Sequence, residues 1–171
     1  MAQVQSWNLE AEITRMIECH SARIARLCTA LLGDPDLAQD VVQETFLKAY
    51  RMLVRHGKCI RNEPAWLTQV AVNLCRDQWR SNWFRHVDRR VSLDMLSEPI
   101  APVNEQDVVI FEAVQALPRK LREVILLRYF QDMGVDELSQ VLGLSRATAY
   151  RRLDRALSML QDALKGESKD E

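Results

Sequence analysis

One segment, "VDELSQVLGLSRATAYRRLDRALSML" at residues 135–160, constrains the fold more than any other. Its first part has apolar residues at helical spacing and stops at Gly143, a residue type that ends helices by adopting the left-handed conformation. Ser145 is then placed to cap a second helix. A short helix, a tight glycine turn and a longer helix form the helix-turn-helix pattern, whose second helix enters the DNA major groove.

The second helix of this pattern has two unlike faces. At about 100° per residue, Thr148, Arg151 and Arg155 fall on one side, with Arg152 at its boundary. The apolar residues on the opposite side are Ala149, Leu153, Ala156, Leu157 and Leu160. A solvated surface helix is the alternative interpretation, because charged faces often contact only water. The turn and the two faces together favour DNA binding.

Charge is distributed unevenly along a chain whose formal net charge is only -1. Residues 51–97 carry nine Lys/Arg against four Asp/Glu, and residues 118–165 carry nine against six. Residues 98–117 between them carry four acidic and no basic residues. Two basic blocks separated by an acidic one are compatible with a nucleic-acid binder.

Long helical patterns and few β-branched runs predict an all-α fold of two small helical domains. The segment "EPIAPVNEQD" holds two prolines and no usable periodicity, so it is interpreted as a flexible linker. The expected division is a first domain at 1–95, an acidic linker at 96–109 and a helix-turn-helix domain at 110–171. The N-terminus lacks the pattern of a signal peptide and no stretch resembles a membrane span, which predicts a cytoplasmic protein.

The segment "GDPDLAQDVVQETFLKAYRML" begins with a strong helix-start signal. Asp34 can cap the helix, Pro35 suits its first position and Asp36 complements the dipole. The expected inward stripe is Ala38, Val41, Val42, Thr45, Ala49 and Leu53, and the outward residues are Asp40, Gln43, Glu44 and Lys48. From the residues alone, a solvated face is the favoured interpretation of this partly acidic outer side.

A further helix is predicted after "NEP", in "AWLTQVAVNLCRDQWRSNWFR". The stripe expected to be buried is Trp66, Leu67, Val70, Ala71, Leu74 and Gln78, and the polar face is Gln69, Asn73, Arg76 and Arg80. Cations, amides and flat rings are the groups that bind unstacked bases. Trp66 is assigned to the core, whereas Trp79 and Trp83 stay open between core and base stacking.

These three blocks together resemble the extracytoplasmic-function (ECF) group of bacterial RNA polymerase sigma factors. The order and spacing of "DPDLAQDVVQETFLKAYRML", "PAWLTQVAVNLCRDQWR" and "ALPRKLREVILLRYFQDMGVDELSQVLGLSRATAYRRLDRAL" match, and they cover nearly the whole chain. The resemblance implies a promoter-specificity subunit with two helical domains. The first would bind the polymerase clamp and the minus-ten element, and the second the flap and the minus-thirty-five element. An anti-sigma factor is the expected inhibitor.

The resemblance also assigns roles to individual residues. The polymerase-binding face would be Asp40, Gln43, Glu44 and Phe46. The residues that read the minus-ten element would be Asn73, Arg76, Asp77 and Arg80, and the preceding loop "RHGKCIRNEP" would capture an extruded base. The minus-thirty-five residues would be Arg146, Thr148, Tyr150, Arg151, Arg152 and Arg155. Tyr150 and Asp154 depart from the basic residues common in the family, so the promoter sequence does not follow from relatives.

Two other functions are alternatives to this one. A free-standing DNA-binding regulator would explain the helix-turn-helix but leave "DVVQETF" and the tryptophan-rich helix without a role. An enzyme using His20, His56 or His86 with a cysteine nucleophile has no shared sequence pattern. The four cysteines lack zinc-ligand spacing, and Cys19 and His20 point to different sides of a helix. No enzyme activity, cofactor or metal is therefore expected.

Overall fold

The computed structural model describes residues 2–56, 60–81 and 105–167, and these residues divide into two compact units, Met1–Asp88 and Arg89–Glu171. The first unit contains α1 (Ala2–Leu32), α2 (Pro35–His56) and α3 (Glu63–Ser81). The second contains α4 (Glu105–Ala116), α5 (Arg119–Ile125), α6 (Val135–Leu142) and α7 (Arg146–Glu167). The described residues form helices and connecting turns without strands, as the all-α prediction requires.

The first unit is a three-helix bundle, in which each helix packs against the other two. Its core is built from apolar side chains that are 0–2% exposed: Met16, Ile24, Leu27, Leu31, Val41, Ala49, Leu67, Ala71 and Val72. Asp34 caps α2, because its Oδ1 accepts hydrogen bonds from the backbone N–H groups of Asp36 and Leu37 at 3.0 and 3.2 Å. The predicted start of α2 is thereby confirmed.

The second unit packs α4, α5 and α6 against the apolar side of α7. After α5 the backbone continues as a π-helical turn, Leu126–Phe130, which closes with a 3.0 Å bond from the N–H of Gln131 to the carbonyl of Leu126. Asp132 follows with a positive φ of 53°. The Arg128 guanidinium donates to the Met133 carbonyl at 2.9 Å, so this turn is fixed before α6 begins.

The helix-turn-helix forms as predicted. Gly143 has a φ of 65°, and the N–H of Leu144 donates to the carbonyl of Ser139 at 2.8 Å, which is the Schellman arrangement of a helix end. Ser145 caps α7, because its Oγ accepts the N–H of Thr148 at 3.2 Å. Only glycine adopts the left-handed conformation without strain, so Gly143 sets the angle between the two helices.

Three predictions of detail need correction. The segment assigned to the linker is helical from Glu105 onward, since acidic residues favour a helix N-terminus. Helix α3 begins at Glu63, two residues before the predicted start, because Asn62 caps it with an Oδ1 that accepts the N–H of Ala65 at 3.2 Å. Residues 96–104 lie outside the described part of the chain.

The third correction concerns the buried stripe of α3. Of the residues predicted to be buried, only Leu67 and Ala71 are, and Trp66, Val70, Leu74 and Gln78 are half-buried. The fully buried residues are Leu67, Thr68, Ala71, Val72 and Cys75. Because α3 packs against both α1 and α2, its inner face is centred on small side chains that fit between two helices.

Candidate polymerase and nucleic-acid interfaces

The outer side of α2 carries the predicted polymerase-binding residues. Asp40 and Gln43 are exposed, and Glu44 is half-buried with its carboxylate 3.3 Å from the guanidinium of Arg51. We call these three residues, Asp40, Gln43 and Glu44, the docking face. Phe46, which the resemblance placed among them, is 6% exposed and therefore belongs to the core behind the docking face.

An apolar stripe that the sequence reasoning missed continues from the docking face along α2. It consists of Leu47, Tyr50 and Val54, which are 48%, 41% and 55% exposed. Together with Gln43 these residues recur at spacings of four, three and four, so they share one side of the helix. That spacing was readable from the sequence, but apolar residues at helical spacing suggest a core position until the true core is known. Solvent-exposed apolar stripes of this kind mark protein-binding surfaces.

The polar face of α3 is placed as predicted at its exposed positions. Asn73, Asp77 and Arg80 are exposed, and Arg76 is half-buried. The Arg80 guanidinium lies 3.2 Å from the Asp77 carboxylate, a surface ion pair that orients both side chains along the helix. Trp79 is half-buried, which leaves its role open between core and base stacking. Trp83 lies outside the described residues, as does part of the predicted capture loop.

The N-terminus of α3 is fixed to α1 by a cluster of charged groups. The Glu63 carboxylate accepts a hydrogen bond from the guanidinium of Arg15, which also binds Glu12, and it lies 3.2 Å from His20 Nε2. These hydrogen bonds raise the pKa of Arg15, the one to Glu12 most strongly. Glu63 is only 14% exposed, so the cluster orients the helix that carries Asn73 and Arg80. The sequence did not reveal this contact, because its partners are more than forty residues apart.

Helix α7 presents the cationic face that its sequence predicts. Arg151 and Arg155 are exposed and Arg152 is half-buried, while Ala149, Leu153 and Ala156 are buried. The predicted separation of an apolar from a cationic side is therefore confirmed.

Side chains at the start of α7 form two ordered chains of contacts. In one, Arg151 donates to Thr148 Oγ1 at 3.2 Å, and Thr148 Oγ1 lies 2.8 Å from Ser145 Oγ. In the other, the Arg146 guanidinium lies 3.1 Å from the Asp136 carboxylate of α6 and 5.8 Å from the Tyr150 ring centroid. The Tyr150 hydroxyl and, less strongly, Asp136 raise the pKa of Arg146. Asp136, which the sequence reasoning did not single out, thus links the two helices of the motif.

The geometry offers exposed surfaces on three helices of the described residues. No group of three metal-binding side chains comes together there, and Cys19 is exposed while Cys28 is buried. No helix in the described ranges is both long and apolar enough to cross a membrane. What the two units present to solvent is an acidic and apolar side of α2, a mixed polar side of α3 and a cationic side of α7.

Comparison with known proteins matches both units to one family. Sigma-70 region 2 matches residues 16–85, and Sigma-70 region 4 matches residues 108–160. The chain is 32% identical over 157 residues to the ECF RNA polymerase sigma factor SigL of Mycobacterium tuberculosis, covering 89% of each protein. It is 28% identical to the probable RNA polymerase sigma factor RfaY of Xanthomonas campestris, of which it spans 40%.

A solved structure agrees with these matches. The structure of CnrH in complex with the cytosolic domain of CnrY shares 27% identity and a TM-score of 0.67, covering 96% of this chain and 94% of that one. The helix order, the helix-turn-helix and the sequence matches lead to the same conclusion. The chain belongs to the ECF group of RNA polymerase sigma factors, promoter-specificity subunits that join core polymerase to promoter DNA.

Proposed function

We propose that the chain acts through three separate surfaces: the docking face and apolar stripe of α2 bind core polymerase, the outer side of α3 reads the minus-ten element, and α7 reads the minus-thirty-five element. The functional domains correspond to residues 1–95 and 110–171, joined by a linker at 96–109 whose last residues, from Glu105 onward, already belong to α4. The observation that carries the proposal is the opposite chemistry of α2 and α7, since an acidic and apolar surface repels DNA whereas a cationic one attracts it.

The assignment for α2 rests on exposure. Asp40 and Gln43 are solvent-exposed, and the adjoining stripe of Leu47, Tyr50 and Val54 leaves apolar area uncovered. Burying apolar side chains at an interface, with charged groups around them, is how specific protein contacts gain both affinity and orientation. A basic partner surface would complement the exposed Asp40 and the half-buried Glu44.

The assignment for α7 rests on its cationic face and its ordered side chains. Arg151 and Arg155 project from the side opposite the core, so they reach furthest into a major groove, while Arg146 and Arg152 lie at the flanks, where phosphates pass. On α3, Asn73 and Arg76 supply an amide for base edges and a cation for phosphates, and the half-buried ring of Trp79 can stack on an unpaired base.

Initiation by this chain needs no catalytic residue or cofactor of its own, and it takes place in the cytoplasm. An anti-sigma factor that covers the apolar stripe would keep the chain from polymerase. The support for such a partner is the exposed area of Leu47, Tyr50 and Val54, together with the related protein CnrH, whose structure was solved with the cytosolic domain of CnrY. A free-standing regulator is not favoured, because it leaves the whole region matched to Sigma-70 region 2 without a task.

The test is transcription with purified core polymerase. The full chain is first passed with core polymerase over a sizing column, where a stoichiometric complex is expected. Run-off transcription on a fragmented genomic library then identifies the promoters that depend on the chain. A chain that neither co-elutes with core polymerase nor supports any promoter-dependent transcript refutes the proposal, and tight sequence-specific DNA binding without polymerase would favour the regulator instead.

A further inference from the structure

An acidic residue, Asp154, lies on the DNA-facing side of α7. The buried residues Ala149, Leu153 and Ala156 define the inner side of this helix. Asp154 is exposed and lies about 140° around the helix from Ala149, between Tyr150 and Arg151. It therefore lies on the outward side of α7, beside the cationic face and about 60° around the helix from Arg151.

The arginine one helical turn before Asp154 does not neutralise it. Arg151, three residues earlier, directs its Nη2 to Thr148 Oγ1 at 3.2 Å, and Thr148 is in turn held by Ser145. Within the described ranges, Asp154 makes no hydrogen bond or ion pair. Its carboxylate is thus exposed beside the cationic face with its acceptor oxygens unused by the protein.

A carboxylate in this place constrains what it can meet in a major groove. Phosphates, the N7 and O6 atoms of guanine and the O4 atom of thymine all repel it, because each is negative or an acceptor. The groove offers two kinds of donor, the N4 amino group of cytosine and the N6 amino group of adenine. Adenine also places its N7 acceptor beside that amino group, whereas cytosine does not, so cytosine is the better partner.

We propose that Asp154 accepts a hydrogen bond from the N4 amino group of a cytosine in the upstream promoter element, which makes it a specificity-determining residue. The inference rests on the proposed function, because it requires α7 to lie in the groove. Along the helix, Asp154 and Arg151 are separated by about 4.5 Å. Base pairs are stacked about 3.4 Å apart, so side chains with this separation can reach neighbouring base pairs.

The test is selection of the upstream element by the full chain bound to core polymerase. A template library randomised over that element is transcribed, and the transcribed templates are sequenced, for the parent and for Asp154→Ala and Asp154→Asn. Asp162→Asn is the matched control, because Asp162 is exposed on the same helix beyond the cationic face. Thermal unfolding checks that each variant retains the fold.

The parent should select cytosine at one position of the element. Asp154→Ala should reduce that preference by about 10-fold to 100-fold. Asp154→Asn should shift the position towards adenine, whose N6 and N7 an amide can bind together. The control Asp162→Asn should select the parental element.

Two results overturn the inference. One is selection of the parental element by both Asp154 variants. This includes the case in which transcription from all templates rises equally, because the carboxylate of the parent then only repels phosphates. The other is a parent that selects adenine at the position Asp154 controls. Failure of the proposed function gives a separate result, since no variant, parent included, then yields promoter-dependent transcripts.

Discussion

Helices α2 and α7 are built alike and present opposite chemistry. Each has 22 residues, each begins with a polar side chain that caps its first turn, and each buries an apolar stripe. On the outer side, the first half of α2 carries Asp40, Gln43 and Glu44, whereas the first half of α7 carries four arginines. The two helices thus share their construction, and under the proposed function their outer side chains account for the difference in partner.

The largest expected effect is the loss of stability when one core leucine is removed from each helix. Leu53→Ala in α2 and Leu153→Ala in α7 should each lower the free energy of unfolding by about 2–5 kcal/mol, because both side chains are at most 6% exposed and leave a cavity. Denaturant unfolding of the full chain measures the loss. Leu47→Ala and Met159→Ala, on the exposed sides of the same helices, should change stability by less than about 0.5 kcal/mol.

The second prediction concerns substitutions on the outer side of α2 only. Gln43→Ala combined with Glu44→Lys should weaken binding to core polymerase by about 2 kcal/mol or more, because a like charge then faces the basic partner surface. Fluorescence titration of core polymerase measures the affinity. Glu18→Lys, the same charge change at an exposed position of α1, is the control and should leave the affinity intact. An unchanged affinity in the folded double variant would remove the docking face from the interface.

The third prediction distinguishes an arginine of α7 that reads a base from one that binds a phosphate. Arg151→Ala should cost about 1–3 kcal/mol at one base pair and change the selected upstream element, because the proposed function places Arg151 in the groove. Arg152→Ala should weaken all sequences alike and flatten the salt dependence without changing the element. Library selection with the holoenzyme distinguishes the two. Identical elements from both variants would mean that the arginines only anchor the helix.

The smallest expected effect concerns the side chains that cap the first turns of the two helices. Asp34→Ala and Ser145→Ala should each destabilise the chain by about 1 kcal/mol, because each leaves backbone N–H groups without an acceptor. Asp34→Asn and Ser145→Asp keep an acceptor and should restore most of the loss. Thermal and denaturant unfolding report both pairs. A much larger loss at Ser145 would show that its contact with Thr148 supports more than the cap.

Features set by local chemistry were predictable from the sequence. The caps at Asp34 and Ser145 and the left-handed Gly143 depend on neighbours within a few residues, so residue type and spacing were enough to predict them. The two faces of α7 followed from periodicity, because that helix packs on one side only. The family resemblance supplied the functional roles, which local chemistry alone left open between solvent and a partner.

Features set by tertiary packing were not predictable in this way. The inner side of α3 was misplaced, because a helix between two others buries small residues such as Thr68 and Cys75 that apolar periodicity ignores. Phe46 was assigned to a motif without knowledge of which way it faces. The Glu63 cluster joins helices distant in sequence, and the bond between Asp136 and Arg146 depends on how α6 meets α7.

The central claim is that α2 binds core polymerase and α7 binds promoter DNA. Its most direct test is a titration of core polymerase with three labelled full-length proteins. These are the parent, the Gln43→Ala and Glu44→Lys double variant, and an Arg151→Ala and Arg155→Ala double variant. The proposed function predicts that the α2 variant loses affinity for core polymerase. The α7 variant should bind core polymerase as the parent does and fail only in promoter selection. Equal affinity of the α2 variant and the parent, or a loss confined to the α7 variant, would contradict it.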